Sequence, residues 1–123
     1  MSDGKIIRRI SKQEKIQRVA AYCRVSTEHD VQMQSYETQV NVYKTKINSN
    51  NEWKFAGIYA DPGITGTSAE KRPEFMRMIS DANEKKMDLI LCKSISRFAR
   101  NAIEAQKYVD LLKENGVTVI FEE

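Results

Sequence analysis

An arginine and a serine stand two residues apart where an apolar run ends, in YCRVST (Tyr22–Thr27). Residues i and i+2 of a strand project to the same face, so a strand here presents Arg24 and Ser26 together. A serine hydroxyl is a weak nucleophile until something activates it. A guanidinium is a permanent cation whose planar fork donates paired hydrogen bonds to phosphate oxygens. Attack by Ser26 on a group that Arg24 holds is one reading. The plainer one is that Ser26 and Thr27 cap the helix that follows.

Three more arginines carry the same chemistry. Arg97 and Arg100 lie three apart in SRFAR and share a face if that stretch is helical. A solvated basic face is the ordinary reading. Phe98 and Ala99 between them instead suggest a segment anchored to the core with its arginines held. DPGITGTSAEKR (61–72) ends on Arg72 and contains two glycines, but the chain has neither a Walker A pattern nor G-x-G-x-x-G. A nucleotide cradle is therefore weakly supported, and a flexible loop that delivers Arg72 is the better reading. Asp61 suits a metal ligand or an acid, though aspartates at strand ends more often cap or turn the chain. Gln34 and Gln39 read as helix-surface residues unless the fold sets the site beside them.

One serine, four arginines and no cluster of metal ligands point to metal-free nucleophilic attack on a phosphate ester. Such a reaction depends on in-line placement and on neutralising the equatorial oxygens, which arginines do at any working pH. A non-catalytic α/β module that binds phosphate through the same arginines is the alternative. A metal-dependent nuclease built on Asp61 and Asp88 is a poorer one, because Asp88 begins a strand and so lies at the opposite end from Ser26.

Four apolar runs look like strands: residues 18–25, 54–60, 88–93 and 117–122. Between them the period becomes helical. Tyr36, Val40, Tyr43 and Ile47 form one stripe, and Phe75, Met76, Ile79 and Ala82 form a second, behind Pro73 at a first helical position. A third stripe, Ala105, Tyr108, Val109 and Leu112, stops at Gly116, a residue suited to the position past a helix end. The alternation predicts an α/β fold, a mainly parallel sheet with helices on both faces. Ligands in that architecture sit beyond the carboxyl ends of the strands, where 24–27, 61–66 and 93–100 fall.

The 123 residues suffice for one core. A net charge of +3, from 20 basic and 17 acidic residues, neither demands nor excludes nucleic acid. Cys23 and Cys92 lie in apolar runs and read as buried free thiols of a reducing compartment. With His29 the single histidine, zinc has almost no ligands to draw on, and no cofactor is expected. The polar N-terminus and the lack of a membrane-length apolar stretch predict a cytoplasmic protein. Residues 1–16 read as a loose basic arm, and 17–123 as the folded domain.

YCRVST, Gln39, DPGITGT, KRPEF and KSISRFARN, in that order and spacing, closely resemble the serine recombinases, the resolvase and invertase group. The resemblance covers the chain from about Arg18 onward and is strongest to the large serine recombinases of phages and conjugative transposons. It implies a resolvase-like three-layer fold and a Ser26 that attacks a DNA phosphodiester. A 5′-phosphoserine link forms, and strands are exchanged within a synaptic tetramer and resealed without ATP or metal. By the same resemblance Arg24, Arg72, Arg97 and Arg100 are the active-site arginines, with Gln39, Asp61 and Gln34 in support. Ser96 stands where small resolvases carry an aspartate, which leaves the proton route to the leaving oxygen open. The family's long dimerisation helix and DNA-binding domains have no counterpart in the sequence, so an isolated catalytic domain with weak DNA affinity is expected.

Overall fold

The computed structural model describes residues 16–25, 30–62 and 72–123, with backbone alone at 25, 30–36 and 62. In chain order the elements are β1 (Gln17–Val25), α1 (Asp30–Asn48), β2 (Trp53–Pro62), α2 (Pro73–Asn83), β3 (Leu89–Cys92), α3 (Ile95–Phe98), α4 (Ala102–Glu114) and β4 (Thr118–Phe121). The strands form one sheet in the order β2-β1-β3-β4, and every neighbouring pair is parallel. The expected α/β architecture and all four expected strands are present.

Each face of the sheet carries its own apolar cluster, as parallel strands require. Val19, Ala21 and Cys23 of β1 pack with Leu89 and Leu91 against Tyr43 and Ile47 of α1. The alternate residues Ala20 and Tyr22 face the other way, onto Phe75, Met78, Ile79 and Ala82 of α2, Phe98 of α3, and Ala105, Tyr108 and Leu112 of α4. One expected core position is corrected. Met76 lies exposed, and Met78 takes its place in the core. Residues 75, 78, 79 and 82 follow the i, i+3, i+4, i+7 stripe of a helix, whereas 76 is turned by one residue out of it.

A bulge in β2 decides what reaches the site. Val19 pairs with Phe55, but Ala20 pairs with Gly57, so β2 gains one residue on β1 there. Trp53 and Phe55 before the bulge pack toward α1, as do Ile58 and Ala60 after it. The parity of the strand has flipped. Tyr59 and Asp61 consequently face α2, whereas an unbroken alternation would have turned Asp61 toward α1. Gly57 adopts φ +139°, a conformation that side chains disfavour.

The helix ends are set by local chemistry. At the end of α4, Val117 N–H donates to Leu112 O and Gly116 N–H to Lys113 O, both at 2.9 Å. This is a Schellman motif with Gly116 at φ +79°, and the buried pair Leu112 and Val117 closes it. The same pattern closes α2, where Lys86 N–H donates to Asp81 O and Lys85 N–H to Ala82 O. Here the left-handed position belongs to Lys85, at φ +61°. No helix among the described residues is long and apolar enough to cross a membrane.

Candidate active site at the carboxyl edge of the sheet

Asp61 is the penultimate residue of β2 and is 1% exposed. Its carboxylate accepts from the backbone N–H of Glu74 and of Phe75, each at 2.9 Å, and from the Tyr22 hydroxyl at 2.8 Å. Pro73 occupies the first position of α2 and has no N–H, so Asp61 satisfies the next two free donors of that helix. The negative charge also rests on the positive end of the helix dipole. Of the readings open for Asp61, the capping one describes this geometry, with the cap supplied from a strand rather than from the residue before the helix.

That preceding residue is Arg72, the N-cap of α2. It too is only 1% exposed. Its Nη1 donates to Phe98 O at 2.9 Å, with longer approaches to Arg97 O at 3.4 Å and the Tyr22 hydroxyl at 3.5 Å. The guanidinium carbon lies 4.1 Å from the Phe75 ring centroid. Phe75 is itself clamped edge-on by Tyr22, Phe98 and Tyr108 at 5.0–5.2 Å, so the aromatic core forms the floor beneath the cation. Nε and Nη2 of Arg72 are buried and have no hydrogen-bond partner among the described residues. A buried cation without a paired anion is costly, and an anion at the free edge of the guanidinium relieves that cost.

Arg24 and Arg97 complete the cluster. Arg97 Nη1 donates to Arg24 O at 2.7 Å, and Arg24 Nη2 donates to Ser96 O at 3.1 Å. The two segments thus hold one another, and the 97–98 carbonyls hold Arg72. Ser96 is exposed, and its hydroxyl lies 3.1 Å from that of Ser94. Arg100 does not join the group. The α3 helix ends at Phe98, Ala99 is extended at φ −149°, and the shared helical face expected for Arg97 and Arg100 does not form. Arg100 instead belongs to the start of α4, where its N–H donates to Glu104 Oε1 at 2.8 Å while Asn101 caps the Glu104 N–H. Its guanidinium faces the same glutamate, with Nε 3.7 Å from Oε2.

Gln39 lies half-buried on α1 and lines a cavity of about 510 Å³ with Tyr43, Lys46, Lys93 and Glu122. Gln34 is on the same helix, but its side chain lies outside the described residues, as do Ser26, Thr27, His29 and the glycine loop read as delivering Arg72. Val25, which precedes Ser26, is the last residue of β1 and pairs with Pro62 beside Asp61. Asp88 lies at the other end of the sheet, bound by Arg18 through Nε, Nη2 and the backbone N–H, at 2.8–3.0 Å. The two carboxylates of the nuclease reading are therefore apart.

Tyr22 has no part in the site as expected from the sequence. Its hydroxyl is the contact between Asp61 and Arg72. Burial, and next the bond to Asp61, hold the phenol well above its ordinary range, so it stays protonated. The available signal was parity, since Tyr22, Arg24 and Ser26 alternate along one strand face.

A family model described as "Resolvase, N terminal domain" matches residues 19–123. Among solved structures, a resolvase family site-specific recombinase from Streptococcus pneumoniae aligns at 33% identity with a TM-score of 0.68, covering 85% of this chain and 70% of that one. The N-terminal catalytic domain of TP901-1 integrase aligns at 25% identity and 0.64, covering 85% and 77%. The C-terminal catalytic domain of ISC1926 TnpA, an IS607-like serine recombinase, shares the fold, with a TM-score of 0.72 at 19% identity and coverage of 85% and 68%. Comparison with curated protein sequences gives no match.

Proposed function

The chain belongs to the resolvase family of serine recombinases, and from that premise we propose that it is the catalytic domain of a site-specific DNA recombinase with Ser26 as nucleophile. The observation that carries the reading is Arg72, buried, without a carboxylate on its guanidinium, and with Nε and Nη2 unpaired among the described residues. A phosphodiester supplies the missing anion. Arg24 and Arg97, bonded to one another's segments beside it, add two further cations at the edge where β1 leads into Ser26.

In this reading Ser26 Oγ attacks the phosphorus of one strand. An Oγ–P bond forms, the bond from phosphorus to the 3′ oxygen breaks, the serine proton departs, and the leaving oxygen takes up a proton. The 5′-phosphoserine link keeps the bond energy, so the reverse step reseals exchanged strands without ATP. Arg24, Arg72 and Arg97 neutralise the equatorial oxygens as charge builds in the transition state. Arg100 acts at the rim, reaching the phosphate once it leaves Glu104. Gln34 and Gln39 support the nucleophile from α1, and the Ser96 hydroxyl stands in place of a carboxylate. The partner is double-stranded DNA, and dimers and a synaptic tetramer form in the full-length recombinase. Residues 17–123 form the catalytic domain, and 1–16 the basic arm.

Covalent trapping tests the proposal. The protein at its natural full length is incubated in EDTA with DNA carrying its element's ends, beside a Ser26→Ala control, and resolved on a denaturing gel. A chelator-resistant protein–DNA band that the control lacks is the expected result. With site binding and synapsis demonstrated, absence of the band rejects the recombinase reading and leaves a phosphate-binding module.

A further inference from the structure

The groups that hold the buried Arg72 differ by direction. In RPEF, Phe75 stands three residues beyond Arg72, and side chains at that spacing are neighbours on a helix. Pro73 disfavours the helical conformation at the residue before it, and Arg72, at φ −122° and ψ 80°, is the N-cap of α2, one turn before the ring. The guanidinium carbon lies over the Phe75 face, 4.1 Å from the centroid. The ring has little room to yield, because it is fully buried and Tyr22, Phe98 and Tyr108 meet it edge-on at 5.0–5.2 Å. The carbonyl oxygens of Phe98 and Arg97 take Nη1. Nε and Nη2, in the guanidinium plane, stay unpaired among the described residues.

We propose that Phe75 is a positioning residue for strand cleavage, its π face holding the Arg72 guanidinium while the in-plane donors Nε and Nη2 remain available to phosphate oxygens. The inference rests on the recombinase reading and adds to it a residue with no phosphate contact of its own. An aromatic face carries partial negative charge, which offsets part of the desolvation cost of a buried cation. It offers no lone pair in the guanidinium plane, so it does not compete with phosphate for those donors. A carboxylate in its place would take the donors and cancel the charge before DNA arrives. An aliphatic side chain would fill the space without attracting the cation.

The test replaces Phe75 in the natural full-length protein with phenylalanines bearing one, two and three ring fluorines, which withdraw charge from the face and barely change its size. The first-order rate of covalent adduct formation is read at saturating DNA, at a temperature where circular dichroism shows each protein folded. The rate should fall stepwise with each fluorine, roughly tenfold in all for the trifluoro ring, on the scale of a desolvated cation–π contact. A rate independent of the fluorine count overturns the proposal. Fluorines also alter the edge contacts, so melting temperatures of the series are compared in an Arg72→Gln background, where the ring faces no cation. The stepwise fall in melting temperature expected with Arg72 should disappear there. The same response in both backgrounds assigns the effect to ring packing and likewise overturns the proposal. Should the trifluoro ring unfold the domain, the members with one and two fluorines carry the same slope. Absence of adduct in the unaltered protein rejects the recombinase reading itself, whereas a normal rate across the series rejects only the role of Phe75.

Discussion

Replacing Asp61 separates a structural carboxylate from a chemical one. In Asp61→Ala the Phe75 N–H and the Tyr22 hydroxyl, both buried, lose their acceptor, and the Glu74 N–H falls back on water. Each buried unsatisfied donor costs about 2 kcal/mol, so the variant should lose roughly 4 kcal/mol. Native domains hold only about 5–15 kcal/mol in total. For a chain of this size the melting temperature should fall on the order of 15 °C. Asp61→Asn keeps the shape and one acceptor oxygen but turns an amide toward donors, and should lose about half as much. Urea denaturation monitored by circular dichroism gives both free energies, and activity is then compared at temperatures where each variant is folded. If both variants stay within ~0.5 kcal/mol of the parent, the capping account fails. Abolished cleavage at unchanged stability would make Asp61 a participant in the chemistry.

Three further outcomes follow from the geometry. Burial pushes the Cys23 thiol up to about 12 and the Cys92 thiol up to about 11, so neither should react with a disulfide reagent at pH 8 until the protein unfolds; a fast-reacting thiol in the native protein contradicts this. The hydrogen bond from Arg18, aided by its charge, holds the Asp88 carboxyl below its ordinary range. A lowered folded value gives stability that is present above about pH 4 and lost as pH falls through the folded value. Arg18→Met should therefore flatten the acid limb of the urea midpoint, by less than about 1 kcal/mol because both side chains are partly exposed. Lys85→Gly should stabilise the domain by roughly 0.5–1 kcal/mol, since φ +61° strains any side chain there, while Gly116→Ala should cost about as much; opposite signs in calorimetry would refute the strain account.

Much of this molecule was legible in order and spacing. Strand runs apolar on both faces, the Gly116 stop and the Pro73 start are local facts, and local propensity and periodicity express them directly. The same holds for the resemblance carried by YCRVST and SRFARN, which the family match from residue 19 onward bears out. Met76 was misplaced because the methionines at 76 and 78, either side of Arg77, each extend the stripe of Phe75, Ile79 and Ala82, and only packing in the cluster with Phe98 and Tyr108 selects between them. Arg97 and Arg100 were joined on a helix that Ala99 ends one residue too early.

What the tertiary structure decided was company. The sequence places Asp61 at a strand end but cannot count the extra residue that the bulge at Gly57 adds, and that one residue turns Asp61 from the α1 face to the α2 face. From there it caps a helix 13 residues further on, and Tyr22 stands between it and Arg72. An arginine's identity is written in the chain. Its burial, and the absence of a carboxylate partner among the described residues, are properties of two strands and two helices meeting, because burial and pairing depend on residues far apart in sequence.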